Sequence, residues 1–183
     1  MKLTNAMKER IIKSIMTDTF VVRENMISIE KTKLADRIYT DFYGLYLKDM
    51  SRLPEEFFIQ KSDLSLRFGS DSRYATLAMN TTRRVGKLHD YSNWNFSETH
   101  AFTVTYRSIE AKSLTLSRDK DKLMATLRSI IIPITTDKRL IEVWPDAEKW
   151  IPTTPAAMSN LPVVQVDGLN DMIIIMKGEE VNK

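Results

Sequence analysis

Two histidines, His89 and His100, stand eleven residues apart, with Asp90 and Glu98 close to them in the chain. Two imidazoles and a carboxylate form a set that holds a divalent transition metal, and the same groups serve acid–base chemistry. The spacing fits neither one helix face nor a hairpin pair, so the competing reading is two loop or edge histidines. Other chemistries are closed off more firmly. The chain has no cysteine, which removes disulfides, thiolate metal sites and cysteine nucleophiles. It has no Gly-x-Ser-x-Gly elbow, no Gly-x-x-x-x-Gly-Lys loop and no Gly-x-Gly-x-x-Gly, and holds only five glycines. Serine hydrolysis, phosphate cradles and dinucleotide folds therefore have no motif to rest on.

The second chemical feature is a basic, aromatic centre. Arg67, Arg73, Arg83, Arg84, Lys87 and Arg107 interleave with Phe68, Tyr74, Tyr91, Trp94, Phe96 and Tyr106. Guanidinium and ammonium groups neutralise phosphates, and exposed rings stack on bases. The expected contact residues for a nucleic acid or other partner are Arg73, Arg83, Arg84, Lys87, Tyr91 and Trp94. Against this stands the bland reading, in which the rings are core and the arginines are solvated. The net charge is only +3, but residues 61–118 carry nine basic and five acidic side chains. That excess permits an anionic partner without requiring one.

These residues must be positioned by a chain of 183 residues, 43% apolar and 28% charged. Such a chain is expected to form one globular domain over 1–183, with helical (1–55), mixed strand and loop (60–108) and mainly helical (115–178) segments. The longest apolar runs, Ile130–Ile132 and Met172–Met176, are far shorter than the ~20 residues of a membrane span. No signal-peptide core follows Met1. A cytoplasmic protein without a membrane partner is the expectation.

Apolar periodicity places the elements. Met7, Ile11, Ile12, Ile15 and Met16 predict a helix over 5–18 after the cap Asn5. Leu34, Ile38, Phe42 and Leu45, beside Tyr39, Tyr43, Tyr46 and Met50, predict another over 28–50. Leu64, Leu66 and Phe68 alternate as a strand, Tyr74, Thr76 and Ala78 less cleanly, and Phe102, Val104 and Tyr106 as a further strand. Residues 83–96 read as a long loop. Ser117 is expected to open a helix that ends at Pro133, Thr136 to cap a short one, and Pro145 to start a further turn. Trp144 and Trp150 are expected to be buried, with Leu140 and Ile141 beside Leu127 and Ile131. The fold class is α+β: N-terminal helices, a small central antiparallel sheet and a helical C-terminal segment.

The C-terminal third is the most individual part. Thr136-Asp137-Lys138-Arg139-Leu140-Ile141-Glu142-Val143-Trp144-Pro145-Asp146 is followed by Trp150-Ile151-Pro152 and by Leu161-Pro162-Val163. With the start Met1-Lys2-Leu3-Thr4, this resembles small bacteriophage and prophage proteins of the nucleotide-modification-associated domain type, over about residues 1–20 and 100–170. The resemblance implies a phage setting and carries no catalytic residue and no cofactor. Together with the missing catalytic motifs and the basic aromatic loop at 83–96, it leads to the expectation of a phage-encoded, non-enzymatic accessory protein in the host cytoplasm. It would bind a host or phage macromolecule, either a nucleic acid or a host defence or transcription component. A virion or assembly component is the alternative, and a nucleotide- or DNA-modifying enzyme using His89, Asp90 and His100 is the second.

Overall fold

The first helix does not stop where the sequence predicts. The structure is a computed structural model and describes residues 1–70, 73–87, 95–151, 172, 173 and 176. In it Asn5–Ile38 is one uninterrupted helix, α1, where the periodicity predicted a break between residues 18 and 28. That gap contains Thr19-Phe20-Val21-Val22, and β-branched residues are weak helix formers. Their deficit is only a few tenths of a kcal/mol each, and tertiary burial outweighs it. Thr19 and Phe20 are both buried. The Thr19 hydroxyl donates to the Ile15 carbonyl at 2.7 Å, so its burial leaves no unsatisfied hydroxyl.

The chain packs as two compact units, Met1–Glu24 with Thr115–Lys183, and Asn25–Leu114. In the first, Ile11, Ile12, Ile15 and Phe20 of α1 are buried, as are Leu116, Leu123, Leu127 and Ile131 of α3 (Ala101–Ile131). α3 stops just before Pro133, which cannot donate the next backbone hydrogen bond. The Lys8 ammonium, itself buried, donates to the Ile132 carbonyl at 2.6 Å, where a cation suits the negative end of a helix. Thr136 caps α4 (Asp137–Val143) by accepting the Arg139 N–H at 3.3 Å. Pro145 opens a 3₁₀ turn, Pro145–Trp150. The N-terminal segment is tied to this corner: the Leu3 N–H donates to the Thr135 carbonyl at 2.8 Å, and the Met1 ammonium pairs with Asp137. That ammonium's hydrogen bond is the main reason the Asp137 carboxyl sits below its usual range. Trp144 is buried as expected. Trp150 is only half-buried: its ring lies 5.4 Å from that of Trp144, and its indole N–H donates to Asp18 at 2.6 Å.

The second unit is a sheet against helix. α1 runs into a π-helical turn, Tyr39–Tyr43, and then α2, Gly44–Asp49. The Gly44 N–H reaches back five residues to the Tyr39 carbonyl, and a Cβ at Gly44 would sit 3.3 Å from that oxygen. β1 (Phe58–Phe68) pairs antiparallel with β2 (Ala75–Gly86), with a bulge between Lys61 and Asp63. On its other edge β1 pairs in parallel with the two-residue β3 (Asn95–Phe96), so the antiparallel hairpin becomes a mixed sheet in the order β2-β1-β3. Leu64, Leu66 and Phe68 face the core as predicted, together with Leu34, Ala35 and Ile38 of α1 and Phe102 and Ile109 of α3.

Three expectations are corrected here. Phe102, Val104 and Tyr106 lie in α3, which begins at Ala101 and not at Ser117. Five residues of alternation are ambiguous; the deciding period is Phe102, Tyr106 and Ile109, one helical face, with Val104 turned out at 59% exposure. In the first half of β2 the buried residues are Leu77 and Met79, so Tyr74, Thr76 and Ala78 mark the outer face. The predicted loop at 83–96 starts late, because Arg83–Gly86 continue β2, paired with Phe58–Lys61, and Asn95–Phe96 form β3. Among the described residues no helix is long and apolar enough to cross a membrane.

Candidate functional site

The end of β1, the start of β2 and the first turns of α3 meet around one pocket at the end of the sheet. Phe68 ends β1 with its ring buried and stacked on that of Tyr106, centroids 4.3 Å apart and planes 12° apart. Phe96 continues the stack on the other side at 5.8 Å. The turn after β1 depends on Gly69, whose φ of +74° favours a residue without Cβ. A Cβ there would lie 2.2 Å from Glu98 Oε1. That carboxylate accepts from the Ser70 N–H at 2.6 Å and from the Ser70 hydroxyl at 2.8 Å, pinning the turn.

Beyond the turn, Arg73 and Tyr74 lead into β2. The Arg67 guanidinium lies 4.4 Å over the Tyr74 ring, a cation–π contact. Among the described residues its buried Nε has no hydrogen-bond partner. Tyr74 remains 47% exposed. Phe68, Arg73, Tyr74, Ala75, Tyr106 and Glu110 line a pocket of about 190 Å³. Tyr106 and Glu110 are one helical turn apart on α3. Arg107 bridges the two walls: it donates to Glu110 at 3.0 Å and to the Phe68 carbonyl at 3.2 Å.

The expected contact residues divide. Arg73 lines the pocket. Arg83 pairs with Asp36 at 3.2 Å and lies 4.6 Å over the Tyr39 ring, whose hydroxyl donates to the Arg84 carbonyl at 3.0 Å. Arg84 pairs with Glu55 at 2.9 Å and covers Phe58 at 3.7 Å. Both arginines thus clamp the hairpin to neighbouring segments. Lys87 is exposed just after β2. Tyr91, Trp94 and His89 lie outside the described residues. His100 sits between the rings of Phe96 and Phe102, each 4.8 Å away. Its Nδ1 accepts the Phe102 N–H at 3.1 Å, so it caps α3. Among the described residues no three His, Asp or Glu side chains group to hold a metal ion. The sequence reading missed Glu110 as a site residue; its signal is the spacing Tyr106, Arg107, Glu110 on a helix, concealed while that stretch reads as a strand.

A family model described as nucleotide modification associated domain 5 matches residues 2–175. The chain belongs to that family. Membership in the nucleotide modification associated domain 5 family covers the middle of the chain as well as its ends, so the sheet and the pocket lie inside the family's domain. No curated protein and no solved structure is detectably similar.

Proposed function

We propose that this member of the nucleotide modification associated domain 5 family is a non-enzymatic accessory protein that binds single-stranded nucleic acid, seating one unstacked base in the Phe68–Tyr106 pocket. The observation that carries the reading is the coincidence of Arg73, Tyr74 and Tyr106 around one small cavity, with Arg67 over the Tyr74 ring. An aromatic face at the surface stacks a base of any sequence, and adjacent arginine serves the phosphate. At about 190 Å³ the cavity is below the roughly 300–1,000 Å³ of pockets that enclose whole drug-sized ligands. It takes one ring system and leaves the sugar and phosphates outside. The lining supports binding over catalysis. Among the described residues its one carboxylate, Glu110, is held by Arg107, and no second described acid or histidine lines the cavity to complete an acid–base pair. With the phage resemblance, the reading places a phage-encoded protein in the host cytoplasm, acting on phage or host nucleic acid.

The test is fluorescence anisotropy with a labelled twelve-nucleotide single strand at low and moderate salt. Binding should weaken with salt at a slope of about −0.7 per phosphate neutralised. Arg73→Ala should lower that slope by about one such increment, and Tyr74→Ala should weaken binding by ~1–3 kcal/mol. No binding at low salt rejects the reading.

A further inference from the structure

We propose that Glu110 makes the pocket selective for guanine; this rests on the base-binding reading above. The aromatic residues do not discriminate among bases, because every base presents a π face. Discrimination must come from the polar atoms at the cavity's edge, and among the described residues the one anionic acceptor in the lining is the Glu110 carboxylate. An ionised carboxylate only accepts hydrogen bonds. A base seated against it must therefore present donors. Of the four bases guanine alone offers two adjacent donors on one edge, N1–H and N2–H₂, at the spacing of the two oxygens of a carboxylate. Adenine and cytosine offer one amino group, and thymine one ring N–H.

The geometry suits that role. Arg107 donates to Glu110 Oε2 at 3.0 Å and is itself anchored on the Phe68 carbonyl at 3.2 Å. The carboxylate is thereby fixed relative to the ring that forms the pocket wall. Each carboxylate oxygen accepts more than one hydrogen bond, so the Arg107 contact leaves both oxygens able to accept. The Glu110 side chain is 36% exposed, at the rim and not the floor. A base edge reaches it while its ring lies against Tyr74 or Tyr106.

The experiment compares labelled strands of eleven thymines around one central guanine, inosine, adenine, cytosine or thymine, binding to the full chain. The guanine strand should bind about tenfold more tightly than the others, within the range for a bidentate base contact. Inosine lacks only the N2 amino group and should fall with the weaker strands. Glu110→Gln, checked to melt as the wild type does, should bring the ratio of guanine to thymine affinities from about ten to about one. If no strand binds, both this assignment and the base-binding reading fall. If all strands bind equally, base binding stands and guanine selection is overturned. A guanine preference shared by inosine, or surviving Glu110→Gln, overturns the role given to this carboxylate.

Discussion

Gly69→Ala strikes the turn that carries the pocket, and its cost can be built from two parts. The backbone φ of +74° lies in the left-handed region, where a residue with a Cβ costs about 1–2 kcal/mol. The added Cβ would also lie 2.2 Å from Glu98 Oε1. That oxygen belongs to the free end of a flexible side chain, so the clash is relieved by swinging Glu98 away. The swing sacrifices its hydrogen bonds to Ser70, at 2.6 and 2.8 Å. These are charge-assisted but exposed, so together they contribute on the order of 1 kcal/mol. The sum is about 2–3 kcal/mol, and at roughly 2–4 °C per kcal/mol for a chain of this size the midpoint falls by about 4–12 °C. Thermal denaturation followed by circular dichroism reads it directly. Glu98→Ala alone should cost only its hydrogen bonds, and the double variant should cost less than the two singles added, because the clash is gone. A Gly69→Ala protein that melts with the wild type, or a strictly additive double variant, would refute this account of the turn.

Other consequences are read from the same geometry. Trp144→Ala, at a site 2% exposed, should cost ~3–5 kcal/mol and give partly unfolded or insoluble protein; a soluble variant with an unchanged melt would show that Trp144 is a contact residue. Asp137→Asn should show a pH-dependent deficit. Because the Asp137 carboxyl is depressed below 3.8, its stabilisation is fully present above that pH and is lost as pH falls through the depressed value. Urea midpoints of wild type and variant should therefore differ at pH 6 and converge at strongly acid pH. Arg83→Glu places a second anion beside Asp36, now 3.2 Å from the guanidinium, and should lower the melting point, read by thermal denaturation; an unchanged melt would show that the pair does not hold the hairpin.

Much of the architecture was legible where pattern and packing agreed. Leu64, Leu66 and Phe68 alternate because one face of β1 is buried. Thr136, Pro133 and Pro145 act through fixed backbone rules that need no tertiary context, and each stands where the sequence placed it. The helix across residues 19–27 was hidden because Val22 and Met26 are apolar yet exposed, so no clean stripe joins the two predicted helices. Phe102 to Tyr106 failed because five residues satisfy both a period of two and a period of 3.6. Two of the site's rings, Tyr74 and Tyr106, were visible as part of the basic aromatic stretch, as was Arg73. Their meeting was not, since it depends on the turn at Gly69 and on reading residues 101–110 as helix. The pairing of Arg83 with Asp36 and of Arg84 with Glu55 was equally hidden: the partners are 47 and 29 residues away in the chain.

The central claim is that the Phe68–Tyr106 pocket binds a nucleic-acid strand, and the salt dependence of single-strand affinity tests it most directly. Wild type, Arg73→Ala and Tyr74→Ala should be titrated against one labelled twelve-nucleotide strand across a series of salt concentrations. The account predicts that wild type binds with affinity falling linearly in log salt, that Arg73→Ala lowers the slope by about 0.7, and that Tyr74→Ala weakens binding at every salt without changing the slope. Binding absent at the lowest salt, or identical in all three proteins, would contradict it.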